Sequence, residues 1–305
     1  MNKKDVVAVT SRSFSKNKTL VEELRNRYEK VILNTDGKSL ADESLINFLK
    51  DANKVIVGLE KFDSKVLDNL PNLKVISKYG VGLNNLDLDQ LNKRNIRLGF
   101  RPGVNKIPVA ELTMLLILIS LRRVHSSMLN IKDGIWSQER GLQLTNKTIG
   151  ILGFGNIGGL LAELLGPYNC KILGFDIQKI DKREVTQCSI EEIFSDADIV
   201  SIHLPLTDSS KGLIDKKLLE ISKKDLKLIN TSRGGIVNEE HLYNYLINNE
   251  RAFAAFDVFE VEPAFNSPLL DLKNFFATSH LGSMTEEGVI AMGLAAIEGL
   301  DENSK

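Results

Sequence analysis

Apolar runs of four or five residues at 6–10, 30–33, 54–58, 74–77 and 96–99 alternate with segments of helical period at 19–28, 40–50, 64–70 and 87–94. Strands that take turns with helices assemble into a parallel sheet covered on both faces. Residues 1 to about 98 are therefore expected to form an α/β domain, doubly wound and flavodoxin-like. Pro102 and Gly103 punctuate the chain next, and the most apolar stretch, 109–121, follows. It reads as a helix with Pro108 in its first turn. It is shorter than the ~20 residues a bilayer requires and Glu111 interrupts it, so it is expected in a core or at a subunit interface. Six further strand candidates lie at 148–152, 170–175, 198–203, 226–230, 252–257 and 275–279, and a last helix candidate at 286–300.

The run 148–152 enters Gly153-Phe154-Gly155-Asn156-Ile157-Gly158, and a helix-like segment follows. Gly153 permits a tight turn, Gly155 lets the backbone approach a pyrophosphate, and Gly158 lets the helix pack close to the sheet. The N–H groups at the start of that helix suit an anion. The next strand ends in Asp176, eighteen positions after Gly158. A carboxylate there is placed to hydrogen-bond the adenosine ribose hydroxyls, and its charge repels a 2′-phosphate, which favours NAD over NADP. Glycine turns before helices also occur for structural reasons alone. Here the preceding strand, the following helix and the spaced acid together favour a dinucleotide site, and six parallel strands complete a Rossmann domain.

A chain of 305 residues exceeds one ordinary small core, which agrees with two domains. The net charge of −1, with both signs interspersed, gives no reason to expect nucleic acid or a membrane as partner. Cys170 and Cys188 stand far apart without a CxxC or Cys/His cluster, so neither a disulfide framework nor a metal site is expected, and a reducing, cytoplasmic setting fits. The N-terminus leads straight into a strand rather than into the apolar core of a secretion signal.

Three strand ends carry polar groups suited to chemistry at an oxygenated carbon: Thr231-Ser232-Arg233-Gly234-Gly235, Asp257 through Glu262-Pro263, and His280-Leu281-Gly282-Ser283. The carboxyl ends of parallel strands share one edge, so these loops should converge. Arg233 offers a planar fork that holds a carboxylate and polarises a neighbouring carbonyl. His280 can give or take a proton near neutrality, and Glu262, if paired with it, would orient the ring and favour its charged form. Asp257 is placed to bond a nicotinamide carboxamide. A lone Arg, Glu or His at a strand end is more often a solvated or turn residue, and it is the joint placement that singles these out. His203 satisfies the same crude rule and is expected to be structural, near the cofactor; His125 and His241 are expected on helix surfaces. The glycine-rich turn Tyr79-Gly80-Val81-Gly82, directly after a strand, is either a plain turn or a set of backbone N–H groups for a substrate. Lys78, Arg101 and Lys106 raise the question of a phosphorylated or dicarboxylic substrate, although solvated surface charges are the default.

The series GFGNIG, Asp176, His203-Leu204-Pro205-Leu206-Thr207, Asn230 to Gly235, Asp257-Val258-Phe259 with Glu262-Pro263, and His280-Leu281-Gly282 resembles the D-isomer-specific 2-hydroxyacid dehydrogenases over nearly the whole chain. Its flavour is that of phosphoglycerate or hydroxypyruvate/glyoxylate dehydrogenases. The resemblance implies that Arg233, Glu262 and His280 are the catalytic set, and that Tyr79, Gly80, Val81 and Gly82, with Arg233 and His280, meet the substrate. It implies an NAD site lined by Gly153, Gly155, Asn156, Ile157, Gly158, Asp176, His203, Pro205, Thr231, Ser232, Arg233, Asp257, His280, Gly282 and Ser283. It also implies two doubly wound parallel-sheet domains: a flavodoxin-like substrate domain of 1–98 with 286–305, and a Rossmann NAD-binding domain of 99–285. The long apolar helix would pack across a homodimer interface, and the cleft would close over substrate.

The chain departs from the family pattern at Asn84, where Asp is common, and at Ser279, where Pro is common; neither removes a catalytic group. Relatives acting on formate carry an amide at the position of Glu262, which disfavours that activity. The chain stops soon after the last helix candidate, so feedback control through an added regulatory domain is not expected. The rival function is an NAD-sensing interaction protein, since corepressors that this family resembles keep the same residues.

Overall fold

The computed structural model describes residues 4–301 and divides into two units, Met1–Asn105 with Met284–Lys305, and Lys106–Ser283. The first unit begins with β1 (Val6–Val9), α1 (Arg12–Lys16), α2 (Lys18–Arg27), β2 (Lys30–Leu33), α3 (Asp42–Leu49), β3 (Lys54–Val57), α4 (Ser64–Asp68), β4 (Val75–Lys78), α5 (Leu88–Lys93) and β5 (Arg97–Gly99). All five strands pair in parallel in the order β2-β1-β3-β4-β5, the flavodoxin-like arrangement. The short helix α1 has no counterpart in the apolar pattern. It forms because the Ser11 hydroxyl accepts from the Phe14 N–H and the Phe14 ring is buried.

The second unit contains α6 (Lys106–Arg122), α7 (Val124–Lys132), β6 (Thr148–Leu152), α8 (Asn156–Leu165), β7 (Lys171–Phe175), β8 (Val185–Gln187), α9 (Ile190–Asp196), β9 (Ile199–Ile202), α10 (Lys216–Ile221), β10 (Lys227–Asn230), α11 (Glu239–Asn248), β11 (Phe253–Phe256) and β12 (Phe275–Ala277). Its parallel sheet runs β12-β11-β10-β9-β6-β7-β8, a dinucleotide-fold order with its reversal between β6 and β9. Seven strands replace the expected six. The addition, β8, is a three-residue edge strand with two exposed positions, too short and too polar to register as an apolar run. One core lies beneath α9, α10 and α11, and the other joins α6 and α8 to the opposite face of β6, β7 and β9. The helix α7 buries none of its side chains, so it has no inward apolar stripe to mark it along the sequence.

The final helix, α12 (Glu286–Glu298), belongs to the first unit, where Ala296, Ile297 and Leu300 join Val7, Val9, Leu20 and Leu24 in one cluster. The unit boundary falls at Asn105 rather than near residue 98. The segment after β4 is tied to the chain's end: Arg97 donates to the Leu300 carbonyl at 2.6 Å, Arg101 pairs with Glu298 at 2.6 Å, and Gly99 lies so close to Gly299 that a Cβ there would sit 2.1 Å from its carbonyl oxygen. Among the described residues no helix is long and apolar enough to cross a membrane.

Candidate active site

At the carboxyl edge of the second unit, β6 leads through Gly153 into α8. Gly153 has φ +92°, and a Cβ there would come within 2.7 Å of the His203 carbonyl oxygen. A Cβ on Gly158 would lie 2.1 Å from the Gly153 carbonyl, so the helix seats directly on the turn. Gly155 differs from both: it is the N-cap of α8, gives that helix no side-chain cap, and has open space where a Cβ would project. Uncapped N–H groups facing open space form a cradle that fits a diphosphate. Asp176, at the end of β7, accepts from the Phe154 N–H at 2.7 Å and from the Gln178 N–H at 2.9 Å. Each oxygen keeps a further lone pair, so the carboxylate braces the glycine turn and retains acceptors for a ribose.

The loops after β10, β11 and β12 hold one another. Asn230 builds the first: its Oδ1 accepts from the Ser232 N–H at 3.1 Å and hydroxyl at 2.8 Å, and its Nδ2 donates to the Arg233 carbonyl at 3.0 Å. Thr231 is anchored to α6 through the Thr113 hydroxyl at 2.8 Å. The half-buried Arg233 donates to the Ser232 carbonyl at 2.6 Å. Burial lowers its pKa and the charge of Glu262 opposes that shift; an arginine stays cationic regardless. Gly234 presses on the second loop, since a Cβ there would sit 1.8 Å from the Phe259 oxygen. Glu262 lies beyond it, before a cis Pro263; its Oε1 accepts from the Phe259 N–H at 3.0 Å and its Oε2 stands 2.9 Å from His280 Nδ1. With Nδ1 facing a carboxylate, Nε2 is the nitrogen left to exchange a proton with a substrate.

His280 has φ +57°, and the loop around it hangs on Asp257, which is 1% exposed. The His280 N–H donates to the Asp257 carbonyl at 2.9 Å. The Asp257 carboxylate accepts from the Thr278 hydroxyl at 2.6 Å, the Leu281 N–H at 2.6 Å and the Gly282 N–H at 2.8 Å. Its hydrogen bonds thus anchor the histidine loop, a role the expectation of a nicotinamide contact had missed.

The other histidines are structural. His203 pairs through Nε2 with the Ser201 hydroxyl at 2.8 Å, its Nδ1 is buried without a partner, and burial pushes its pKa down to about 3. His125 and His241 lie on α7 and α11, as expected, each half-buried rather than fully exposed. His125 packs edge-on against Phe276 of β12 with centroids 5.3 Å apart and a buried, unpartnered Nδ1; burial lowers its pKa. His241 accepts the Lys216 N–H at 3.2 Å at the start of α10. In the first unit, Tyr79-Gly80-Val81-Gly82 follows β4 with Gly80 at φ +115°, and the Tyr79 ring meets Phe14 edge-on at 5.6 Å. Asn230 and Gly234 fall within the strand-end run but carried no assigned role; the available signal was a polar residue closing an otherwise apolar strand and a glycine doublet after it.

A Rossmann unit with an open glycine cradle, bearing a guanidinium and a carboxylate-oriented imidazole at the same sheet edge, defines a nicotinamide-dependent oxidoreductase. Residues 114–282 match the family described as D-isomer specific 2-hydroxyacid dehydrogenase, NAD binding domain. The chain belongs to that family, and its cofactor is NAD. It is 31% identical over 273 residues to the hydroxypyruvate reductase of Thermotoga maritima, covering 87% of this chain and 89% of that protein. It is 33% identical to the D-3-phosphoglycerate dehydrogenase of Methanocaldococcus jannaschii over 85% of this chain, which spans about half (51%) of that longer relative. Among solved structures, the NAD+-bound 3-phosphoglycerate dehydrogenase of Entamoeba histolytica superposes with a TM-score of 0.81 at 28% identity, covering 97% of this chain and 93% of that one.

Proposed function

We propose that the chain reduces a small 2-keto acid to the D-2-hydroxy acid, with hydroxypyruvate and glyoxylate as leading substrates, and that Arg233, Glu262 and His280 carry the reaction. NAD, when bound, supplies or accepts the hydride. Arg233 holds the substrate carboxylate with its fork and polarises the adjacent carbonyl. His280 delivers a proton from Nε2 to the carbonyl oxygen in reduction and withdraws it in oxidation. Glu262 keeps the ring in that orientation during transfer, as a carboxylate on the far nitrogen does in other acid–base sites. The turn Tyr79–Gly82 gives backbone N–H groups to the substrate carboxylate. The carrying observation is the 2.9 Å contact between Glu262 and His280, in loops that also position Arg233.

The protein works as a homodimer through α6 and α7, a reading supported by the exposed Leu115, Met128, Ile131, Ile135 and Trp136. A cytoplasmic setting is supported by the two unpaired thiols of Cys170 and Cys188. The test is NADH consumption by the purified protein with glyoxylate, hydroxypyruvate and 3-phosphohydroxypyruvate. Turnover of at least one supports the proposal. Silence with all three while NAD still binds discards it in favour of an NAD-sensing role.

A further inference from the structure

Lys78 closes β4 immediately before the turn Tyr79–Gly82, yet it is only 5% exposed. Its ammonium donates to the Gly58 carbonyl and, at 2.8 Å, to Asn85 Oδ1. Asn85 Nδ2 in turn donates to the Glu60 carbonyl at 2.6 Å and to the Gly58 carbonyl at 3.4 Å. The other side of the same residue is held as well: the Gly58 N–H donates to Glu60 Oε2 at 3.1 Å, and that oxygen accepts from the Thr10 hydroxyl at 2.6 Å. Lys78 and Asn85 stand at the entry and exit of one glycine-rich turn, so their contact closes it as a loop pinned to the ends of β1 and β3. A turn that carries two glycines and a positive φ at Gly80 has little stiffness of its own.

We propose that Lys78 is a positioning residue that sets the Tyr79–Gly82 turn, and that the substrate is an unphosphorylated 2-keto acid. This rests on the assignment of that turn to the substrate carboxylate. If the Lys78 ammonium swung out to meet a phosphate, it would abandon the Gly58 carbonyl and Asn85 Oδ1, leaving largely buried acceptors without their cation. Arg101, the other cation of the first unit considered for that role, is paired with Glu298.

The test compares wild type, Lys78→Met, Asn85→Ala and the double variant, each with glyoxylate, hydroxypyruvate and 3-phosphohydroxypyruvate. Wild type should prefer hydroxypyruvate over its phosphorylated form by at least about tenfold in kcat/KM, the scale of a misplaced or unpaired substrate group. Each single variant should raise KM for every accepted keto acid by one common factor of about ten or more, with a smaller change in kcat and an unchanged KM for NADH. The double variant should be no worse than the poorer single one, because both break one clamp. A loss confined to the phosphorylated substrate, a preference of wild type for that substrate, or unaltered KM values would overturn the proposal. Where Lys78→Met does not fold, Asn85→Ala, which keeps the buried cation, decides by the same criteria. Failure of wild type on all three keto acids with NAD bound is a different result; it removes the dehydrogenase reading and this clamp's role with it.

Discussion

Replacing Asp257 with Asn separates two jobs that its position at the end of β11 allows. In the native loop one carboxylate oxygen accepts from Thr278 and Leu281 and the other from Gly282, and the residue is 1% exposed. An amide keeps one acceptor oxygen and turns the other into a donor. If the oxygen stays toward Thr278 and Leu281, the Gly282 N–H faces an N–H at hydrogen-bond distance. The lost charge-assisted bond contributes about 1.5–3 kcal/mol and the stranded buried donor costs about 1–3 kcal/mol. The sum is about 2.5–6 kcal/mol, which for a domain of this size lowers Tm on the order of 10 °C. The same loosening frees the backbone at His280, so kcat should fall about 100-fold, the cost of misplacing a reacting group by about 1 Å. Calorimetry and steady-state kinetics on the one variant suffice. An unchanged Tm together with an effect confined to the KM for NADH would refute the anchoring argument and return Asp257 to the role of a nicotinamide ligand.

Arg233→Lys should lose at least about 100-fold in kcat/KM for a keto acid, because an ammonium cannot reproduce two parallel bonds to a carboxylate; a variant within a few-fold of wild type would show that the fork is not used. Gly234→Ala places a Cβ 1.8 Å from the Phe259 oxygen, so Tm and turnover should fall together, and an active variant of native Tm would contradict the close approach. His203 has its pKa pushed down to about 3 from the ordinary 6.5, so below pH 6.5 the unfolded chain binds a proton that the folded chain refuses. Stability is lost as pH falls from 6.5 toward 3, by about 2 kcal/mol at pH 5 relative to pH 7.5, and chemical denaturation of His203→Gln should lack that component.

Both domain topologies were legible because parallel strands in α/β units are buried on both faces and read as plain apolar runs; 54–57 and 199–202 are wholly buried. The convergence of Arg233, Glu262 and His280 was legible because three strand ends on one edge must come together. What escaped was whatever lacked an apolar signature. The edge strand β8 shows two of its three residues to solvent, and α1 is held by a serine cap and one phenylalanine. The tasks of Asp257 and Lys78 were hidden for a different reason. Their chemistry admits a ligand role, and only the partners within hydrogen-bond reach reveal that a carboxylate collects three loop donors and that an ammonium is turned inward.

Convergence at the sheet edge extends to mechanical coupling of the three groups. The Arg233 loop bears on Phe259 through Gly234, the Phe259 N–H holds Glu262, Glu262 faces the His280 ring, and the His280 N–H returns to Asp257, at the start of the loop after β11 that also carries Phe259. Apart from the local bond between Phe259 and Glu262, each contact joins residues far apart in sequence, so the geometry depends on the pairing of β10 with β11 and β11 with β12 as well as on the loops themselves. Because the path closes on itself, displacing one loop displaces the others. Free energies of substitutions at Gly234, Glu262 and Asp257 should therefore not add, the behaviour of residues that act as one unit. Independent, additive losses at these three positions would mean that each loop holds its side chain alone.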